Sequence, residues 1–200
     1  MKKTFNAYSL TLGGLFVALT AIGANLTSIA PFLIIGGVPI TLQTFFAVLA
    51  GLVLGRKLGA FSMFAYMMLG LAGAPIFAQF KGGAAFILAP TFGFVLSFIL
   101  VAYVAGAIAE RAKGIPAYIA ASLAGMTINY LAGTNWMYLA YLTWFEAPAG
   151  LSYKLLWSWM AVPLPKDIIL SVLAGIFAYR LQKYGLFNKN KLSINRNHIA

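Results

Sequence analysis

The sequence predicts an all-α integral membrane protein, a single bundle of six transmembrane helices with both termini in the cytoplasm. Of the 200 residues, 62% are hydrophobic and 8% are charged, whereas a soluble domain carries roughly 25% charged residues. A segment that crosses lipid must be a helix or part of a closed barrel, because no water is present to bind its backbone. The apolar runs of this chain are continuous rather than alternating, which favours helices.

The first predicted helix covers residues 8–26, an apolar run long enough to cross about 30 Å of hydrocarbon at 1.5 Å per residue. Met1-Lys2-Lys3 precedes this full-length run, so we expect no cleaved signal peptide. The next apolar run, residues 29–40, is short and contains two prolines and two glycines. We expect it to be a loop that dips back against the protein, since irregular backbone is not tolerated in lipid.

The other five predicted helices cover residues 39–55, 58–72, 88–109, 116–142 and 165–183. The fifth begins with Pro116, which costs no hydrogen bond at a helix start. Residues 144–162 are amphipathic and aromatic, so we expect an interfacial segment there. Residues 1–187 are therefore predicted to form one membrane domain, and residues 188–200 a polar cytoplasmic tail.

The positions of lysine and arginine predict the orientation, because cytoplasmic segments carry the excess of positive charge. With the N-terminus inside, the outer segments hold only Lys81, Lys154 and Lys166 of the 14 cations. The inner segments hold Lys2, Lys3, Arg56, Lys57, Arg111, Lys113, Arg180, Lys183, Lys189, Lys191 and Arg196. We interpret the net charge of +11 as a topology signal and expect no nucleic-acid partner. The bacterial plasma membrane is the predicted location.

A stretch rich in glycine and proline, residues 70–94, connects the third and fourth predicted helices. It contains one cation, Lys81, next to Gly82-Gly83, and several aromatic residues. Such a segment suits the wall of a ligand pocket. The alternative is an ordinary extracytoplasmic loop, because loops collect these residue types.

The chain has only three acidic residues. Glu110 lies beside Arg111 at a predicted cytoplasmic helix end, so a solvated ion pair is expected; Glu146 is expected to be solvated in the outer loop. Asp167 opens an apolar helix. It is either a helix-start carboxylate satisfied by first-turn N–H groups or a carboxylate at membrane depth that binds a ligand.

Two further patterns lie within the predicted helices. The amides of Gln43 and Asn129 serve either interhelical hydrogen bonding or ligand contact. Small residues recur on one face of the first helix, at Gly14, Ala18 and Ala21. They allow close approach of another helix, either within the bundle or from a separate membrane subunit.

The sequence contains no G-x-x-x-x-G-K-[ST] phosphate loop, no H-E-x-x-H motif and no cysteine. The single histidine, His198, lies in the tail. We therefore predict a chain with no catalytic residues and no metal site, which binds a ligand in a membrane without hydrolysing ATP.

Six segments then occur in an order that resembles the BioY family, the biotin-specific S components of energy-coupling factor transporters. These segments are P-I-T-L-Q-T (39–44), G-L-V-L-G-R-K-L-G-A (51–60), Y-M-M-L-G-L-A-G-A-P-I-F (66–77), G-G followed by A-P-T-F-G-F (82–94), N-Y-L-A-G-T-N-W (129–136) and P-L-P-K-D-I-I-L (163–170). The resemblance covers roughly residues 10–180. It implies a subunit that captures biotin, needs no other cofactor, and works with one transmembrane coupling subunit and two ATPases.

The resemblance also suggests roles for residues. Asp167 is expected to accept the two N–H groups of the ureido ring, and Asn129 to serve the same ring. The carboxylate of biotin is expected to meet Lys81 with Gly82-Gly83, or alternatively Lys166. The residues predicted to bind the ligand are Phe77, Gln79, Lys81, Gly82, Gly83, Phe86, Asn129, Trp136, Lys166 and Asp167, and Gly14, Ala18 and Ala21 are predicted to dock the coupling subunit.

This chain departs from the family pattern at the start of the last helix. The family usually has glycine in place of Lys166 and often has lysine in place of Leu170, so the role of Lys166 stays open. A milder departure is Ala89, where the family has glycine. The alternative functions are an S component for another vitamin, a self-sufficient secondary transporter and a small membrane enzyme.

Overall fold

The structure, a computed structural model, describes residues 7–26, 34–35, 38–111 and 113–184. Within these ranges it has seven α-helices, in agreement with the predicted all-α class. The helices are α1 (Ala7–Asn25), α2 (Gln43–Leu54), α3 (Arg56–Leu71), α4 (Phe92–Arg111), α5 (Ile115–Thr143), α6 (Tyr153–Met160) and α7 (Leu164–Lys183). The predicted tail and most of the loop predicted at 29–40 lie outside the described residues.

A minimal antiparallel hairpin precedes α2, which corrects the predicted start of the second helix at residue 39. Strands β1 (Ile34–Ile35) and β2 (Val38–Pro39) pair with Ile34 opposite Pro39. The backbone N–H of Leu42 then donates to Gly23 O of α1 at 2.9 Å. Pro39 belongs to a strand and Leu42 is the N-cap, whose carbonyl oxygen accepts the Phe46 N–H at 3.2 Å, so the first residue of α2 is Gln43.

Two other boundaries differ from the sequence prediction. Residues Ala84–Leu88 form a separate 3₁₀ turn, so α4 begins at Phe92 rather than at residue 88. Of the predicted amphipathic segment 144–162, only Tyr153–Met160 is α-helical, and Ser152 begins this helix by accepting the N–H of Leu155 at 3.1 Å. Short segments with several glycines or prolines thus separate elements that the apolar pattern alone would join.

The core lies where α2 contacts α3, α4, α5 and α7. Small residues let these backbones meet: a Cβ at Gly51 would lie 2.2 Å from the carbonyl oxygen of Ala102 in α4. Leu52, Tyr66 and Phe98 are among the largest fully buried side chains. Close packing of this kind is how helices associate in lipid, where apolar burial between helices contributes little.

One end of the bundle is joined by contacts between α2, α3, α4, α5 and α7. Gln182 Nε2 donates to Leu52 O at 2.9 Å, and the Tyr118 hydroxyl donates to Gln182 Oε1. Glu110 binds Arg56, with Oε2 3.2 Å from Nε and Oε1 accepting the Arg56 N–H at 2.9 Å. The sequence prediction that Glu110 pairs with Arg111 is therefore wrong, and its partner is Arg56. Gly55, at φ 83°, turns the chain so that the start of α3 meets the end of α4.

Three helices of the described ranges, α1, α4 and α5, are long and apolar enough to cross a membrane. Helices α6 and α7 qualify only as a pair that is bent by 52°, and α2 is a shorter apolar helix. These helices fit a membrane protein. The number of spans and the side on which the termini lie stay predictions.

Candidate ligand-binding site

A pocket opens at the other end of the bundle, where α2, α4 and α7 begin beside the middle of α5. Its walls combine apolar and aromatic side chains with a small set of polar groups, which is the usual composition of a small-molecule site. The lining residues are Ile40, Thr41, Gln43, Thr44, Ala78, Phe86, Thr91, Phe94, Val95, Phe98, Asn129, Tyr130, Met160, Pro163, Lys166 and Asp167.

The strongest polar group in this pocket is the carboxylate of Asp167, in the first turn of α7. Its Oδ1 lies 2.8 Å from Lys166 Nζ, and its Oδ2 accepts the Tyr130 hydroxyl at 2.6 Å. Lys166 Nζ also donates to Thr41 O at 2.5 Å. The oxygens of Asp167 thus bind side chains that face the pocket, rather than the first-turn N–H groups that a helix-start role requires.

Asn129 lines the same pocket, but its side chain is satisfied within the protein. Its Nδ2 donates to Ser97 Oγ at 2.7 Å and to Phe94 O at 3.2 Å, and its Oδ1 accepts Thr44 Oγ1 at 3.0 Å. These bonds join α5 to α2 and α4. The geometry favours the interhelical alternative over a direct hydrogen bond to a ligand.

The other amide, Gln43, is likewise engaged. Gln43 Nε2 donates to the Tyr66 hydroxyl at 2.8 Å, and Gln43 Oε1 accepts Thr41 Oγ1 at 3.0 Å. The Tyr66 hydroxyl donates in turn to Ile76 O at 2.8 Å. This chain of bonds connects the start of α2, through α3, to the loop that follows α3.

That loop, residues 72–91, contributes to the pocket only some of the residues that the sequence predicts to bind the ligand. Phe86 lines the pocket, whereas Gln79, Lys81, Gly82 and Gly83 are not among the lining residues. Lys81 is exposed, and the Gly83 N–H already donates to Gly70 O at 2.7 Å. The Gly83 amide is therefore used within the loop.

Aromatic rings form a continuous row behind Phe86. Phe77 is completely buried and stacks on Phe86 at 4.5 Å between ring centroids. Phe92 contacts both Phe86, at 6.3 Å, and Trp136, at 5.7 Å. Phe77 and Trp136 are therefore placed behind the pocket wall, whereas Phe86 lines the pocket itself.

The small residues of α1 lie away from this pocket, on the outside of the bundle. Gly14 and Ala18 are exposed, and a Cβ at Gly14 would meet nothing within 4 Å. Ala21 is half-buried. Ala21 packs against the protein's own core, as does its helix neighbour Gly13, whose Cβ would lie 3.0 Å from Ser62 Oγ, so only Gly14 and Ala18 of the three face outward.

Two contributors to the site were missed by sequence reasoning. Tyr130 follows Asn129 directly, but nothing in the sequence indicates that its hydroxyl meets a carboxylate 37 residues away. Thr41 contributes a backbone oxygen, which no side-chain pattern can reveal. Its place in the P-I-T-L-Q-T segment is the only signal that could have drawn attention to it.

Sequence comparison shows that the chain is similar to a family whose members are named as biotin transporters. The family model described as "BioY family" matches residues 1–186. A protein of Bacillus subtilis (strain 168) named "Putative biotin transporter BioYB" is 41% identical over 201 aligned positions, covering 100% of this chain and 98% of that protein. A "Probable biotin transporter BioY" of Pyrococcus horikoshii is 41% identical over 177 positions, covering 88% and 97%.

The fold is similar to that of a solved membrane protein. The crystal structure at 2.1 Å of an S component for biotin from an ECF-type ABC transporter matches with a TM-score of 0.72. The match covers 90% of this chain and 95% of that chain, at 22% sequence identity. At this identity the likeness supports the fold alone.

Proposed function

This chain belongs to the BioY family, and we propose that it is the membrane subunit that captures biotin for uptake powered by separate ATPases. One structural observation supports this proposal most strongly. The only buried carboxylate of the described chain, Asp167, faces a pocket whose remaining walls are largely apolar and aromatic. A polar ring joined to an apolar chain needs such a site.

The chemistry of biotin matches these walls. Its ureido ring offers two N–H donors and a carbonyl acceptor, and Asp167 is the acceptor for an N–H. The fused ring and the methylene chain are apolar, and they fit against Phe86, Phe94 and Phe98, which line the same pocket. Asn129 contributes by holding α2, α4 and α5 together around the ring site.

The carboxylate of biotin lies at the far end of the molecule from the ureido ring. If the ring is at Asp167, the carboxylate points to the mouth of the pocket, where it can meet water; Lys81 is exposed but is not among the residues that line the pocket. A charged group that stays near water needs no dedicated partner. Gln79, Gly82 and Gly83 do not line the pocket either, so we expect them to contribute less to the affinity for biotin than Asp167.

We further propose that the chain lies in the plasma membrane with both termini inside and docks a transmembrane coupling subunit through α1. The exposed positions Gly14 and Ala18, with Ala21 beside them, leave room for another helix. The coupling subunit would connect the chain to two ATPases, since the sequence contains no phosphate loop.

Uptake of labelled biotin tests this function. The chain is expressed in a host that lacks its own biotin uptake, either alone or with a coupling subunit and two ATPases. Concentrative uptake is expected only in the second case and should stop when the ATPases are inactivated. Full uptake by the chain alone would support a secondary transporter instead, and uptake of another vitamin in preference to biotin would change the ligand.

A further inference from the structure

We propose that Lys166 recognises the ureido carbonyl of the ligand, beside the N–H that Asp167 accepts. This inference rests on the proposed function. From the sequence, Lys166 is an alternative partner for the carboxylate of biotin. The structure instead favours a contact between Lys166 and the ureido ring at the other end of the ligand.

Because Lys166 and Asp167 are in contact, they cannot bind opposite ends of the same biotin molecule. Lys166 Nζ and Asp167 Oδ1 are 2.8 Å apart. The ureido ring and the carboxylate of biotin are separated by a bicyclic ring and four methylene groups. One biotin molecule cannot place its ureido N–H on Asp167 and its carboxylate on Lys166 while these side chains remain in contact.

The hydrogen-bonding capacity of the pair defines what it can bind. An ammonium has three donors, and Lys166 uses one on Asp167 and one on Thr41 O. No third acceptor for Lys166 occurs among the residues that the structure describes. A carboxylate has about four acceptor positions, of which Lys166 and Tyr130 occupy one on each oxygen. With respect to the described residues, the pair therefore retains one donor of Lys166 next to unoccupied acceptor positions of Asp167.

A donor beside an acceptor is complementary to one edge of a cyclic urea. On that edge the N–H and the C=O lie side by side, so the N–H meets Asp167 while the carbonyl oxygen meets Lys166. Both hydrogen bonds involve a charged partner and are stronger than neutral ones. Thr41 O and the Tyr130 hydroxyl hold the two side chains in place, which lowers the ordering cost of binding.

The test measures the affinity of purified wild type and Lys166→Met for three ligands. These are biotin, biotin methyl ester, which lacks the carboxylate charge, and 2-iminobiotin at a pH that keeps its guanidinium protonated. Lys154→Met is the matched control, because Lys154 is an exposed lysine on α6 outside the pocket. Thermal unfolding without ligand checks that each variant is folded.

Lys166→Met is expected to weaken binding of biotin by about 10- to 100-fold, the range for a hydrogen bond to a charged group. The methyl ester should lose affinity by the same factor, whereas protonated 2-iminobiotin should not lose affinity, because it presents no carbonyl and a positive charge to Lys166. Lys154→Met should leave all three affinities unchanged. Lys166→Gln, which keeps a neutral donor, should lose less than Lys166→Met.

Two results would overturn the inference while leaving the proposed function standing. A loss confined to biotin and absent for the ester would assign Lys166 to the carboxylate. An equal loss for all three ligands, or no loss for any, would leave Lys166 with a structural role or none. Failure of the wild type to bind biotin would instead reject the proposed function itself, and with it this role.

Discussion

Asp167 differs from the other two carboxylates of the chain in its surroundings. It is 8% exposed, whereas Glu110 and Glu146 are exposed at the surface. A buried charge is costly unless it is paired and hydrogen-bonded, and Asp167 has both Lys166 and Tyr130 as partners. Apolar packing at this position would often be as stable as a buried ion pair, so an ion pair that faces a pocket fits the proposed ligand-binding role.

Asp167→Asn should lower the affinity for biotin by roughly two orders of magnitude or more. The substitution removes the charge and turns one acceptor oxygen into a donor that opposes a ureido N–H. Loss of a hydrogen bond to a charged group costs about 1.5–3 kcal/mol, and an unmatched buried donor adds a similar penalty. Titration of biotin into the folded variant measures the effect. Wild-type affinity would remove Asp167 from the site.

Tyr130→Phe should weaken biotin binding by about ten-fold, because Asp167 Oδ2 loses its hydroxyl donor at 2.6 Å. The effect should act through Asp167. A double-mutant cycle therefore predicts little further loss when Tyr130→Phe is added to Asp167→Asn. Full additivity of the two losses would show that Tyr130 works independently of the carboxylate.

At the residue scale the sequence indicates which groups are unusual but not which of them meet. Asp167 and Lys166 stand out because charges are rare in an apolar chain. The partners Tyr130 and Thr41 are common residue types, and they come from distant parts of the chain. Asn129 shows the converse: an amide in a span is conspicuous, yet three internal partners satisfy it.

At the scale of elements, the outer surface of α1 interrupts large exposed side chains, such as Leu15 and Ile22, with two small residues. Gly14 and Ala18 are both exposed there. A lipid-facing helix needs no small residues, since lipid chains adapt to any surface. Small residues on an outer face instead permit a neighbouring helix to approach closely.

Ala18→Trp should block assembly with a coupling subunit and leave biotin affinity nearly unchanged. The indole enlarges a surface that no part of the described bundle covers. Leu100→Trp is the matched control, because Leu100 is 56% exposed on α4 and its substitution adds bulk on a different helix. Co-purification and biotin titration measure the two properties. A collapse of biotin binding with assembly intact would assign Ala18 to internal packing.

The long elements follow from sequence because length and hydropathy are strong signals in a membrane protein. The short ones do not. The hairpin that includes Pro39 depends on pairing with Ile34, and the late start of α4 depends on the 3₁₀ turn Ala84–Leu88. Such features are set by local hydrogen bonds, which the apolar pattern does not encode.

At the scale of the whole molecule, most of the basic residues of the described chain lie at the end of the bundle opposite the pocket. The starts of α2, α4 and α7 line the pocket. The other end, where α2, α4 and α7 terminate, carries Arg56, Arg111, Arg180 and Lys183. The positive-inside rule therefore predicts that the pocket faces the outside, which fits the proposed capture of a ligand from that side.

Cysteine labelling tests this orientation cleanly, because the chain has no cysteine of its own. Lys154→Cys and Lys113→Cys place single thiols at exposed positions near the two ends. A membrane-impermeant maleimide should label Lys154→Cys in intact cells and Lys113→Cys only after the membrane is opened. The reverse pattern would place the pocket on the cytoplasmic side.

Calorimetric titration of biotin into the purified chain is the most direct test that this subunit binds biotin by itself. We predict saturable binding of one biotin per chain in the absence of any other subunit, because every polar group assigned to the ligand belongs to this chain. Thiamin, whose positively charged ring does not offer a urea edge, should give no binding in the same experiment. Absence of heat with biotin, or equal binding of thiamin, would contradict the claim.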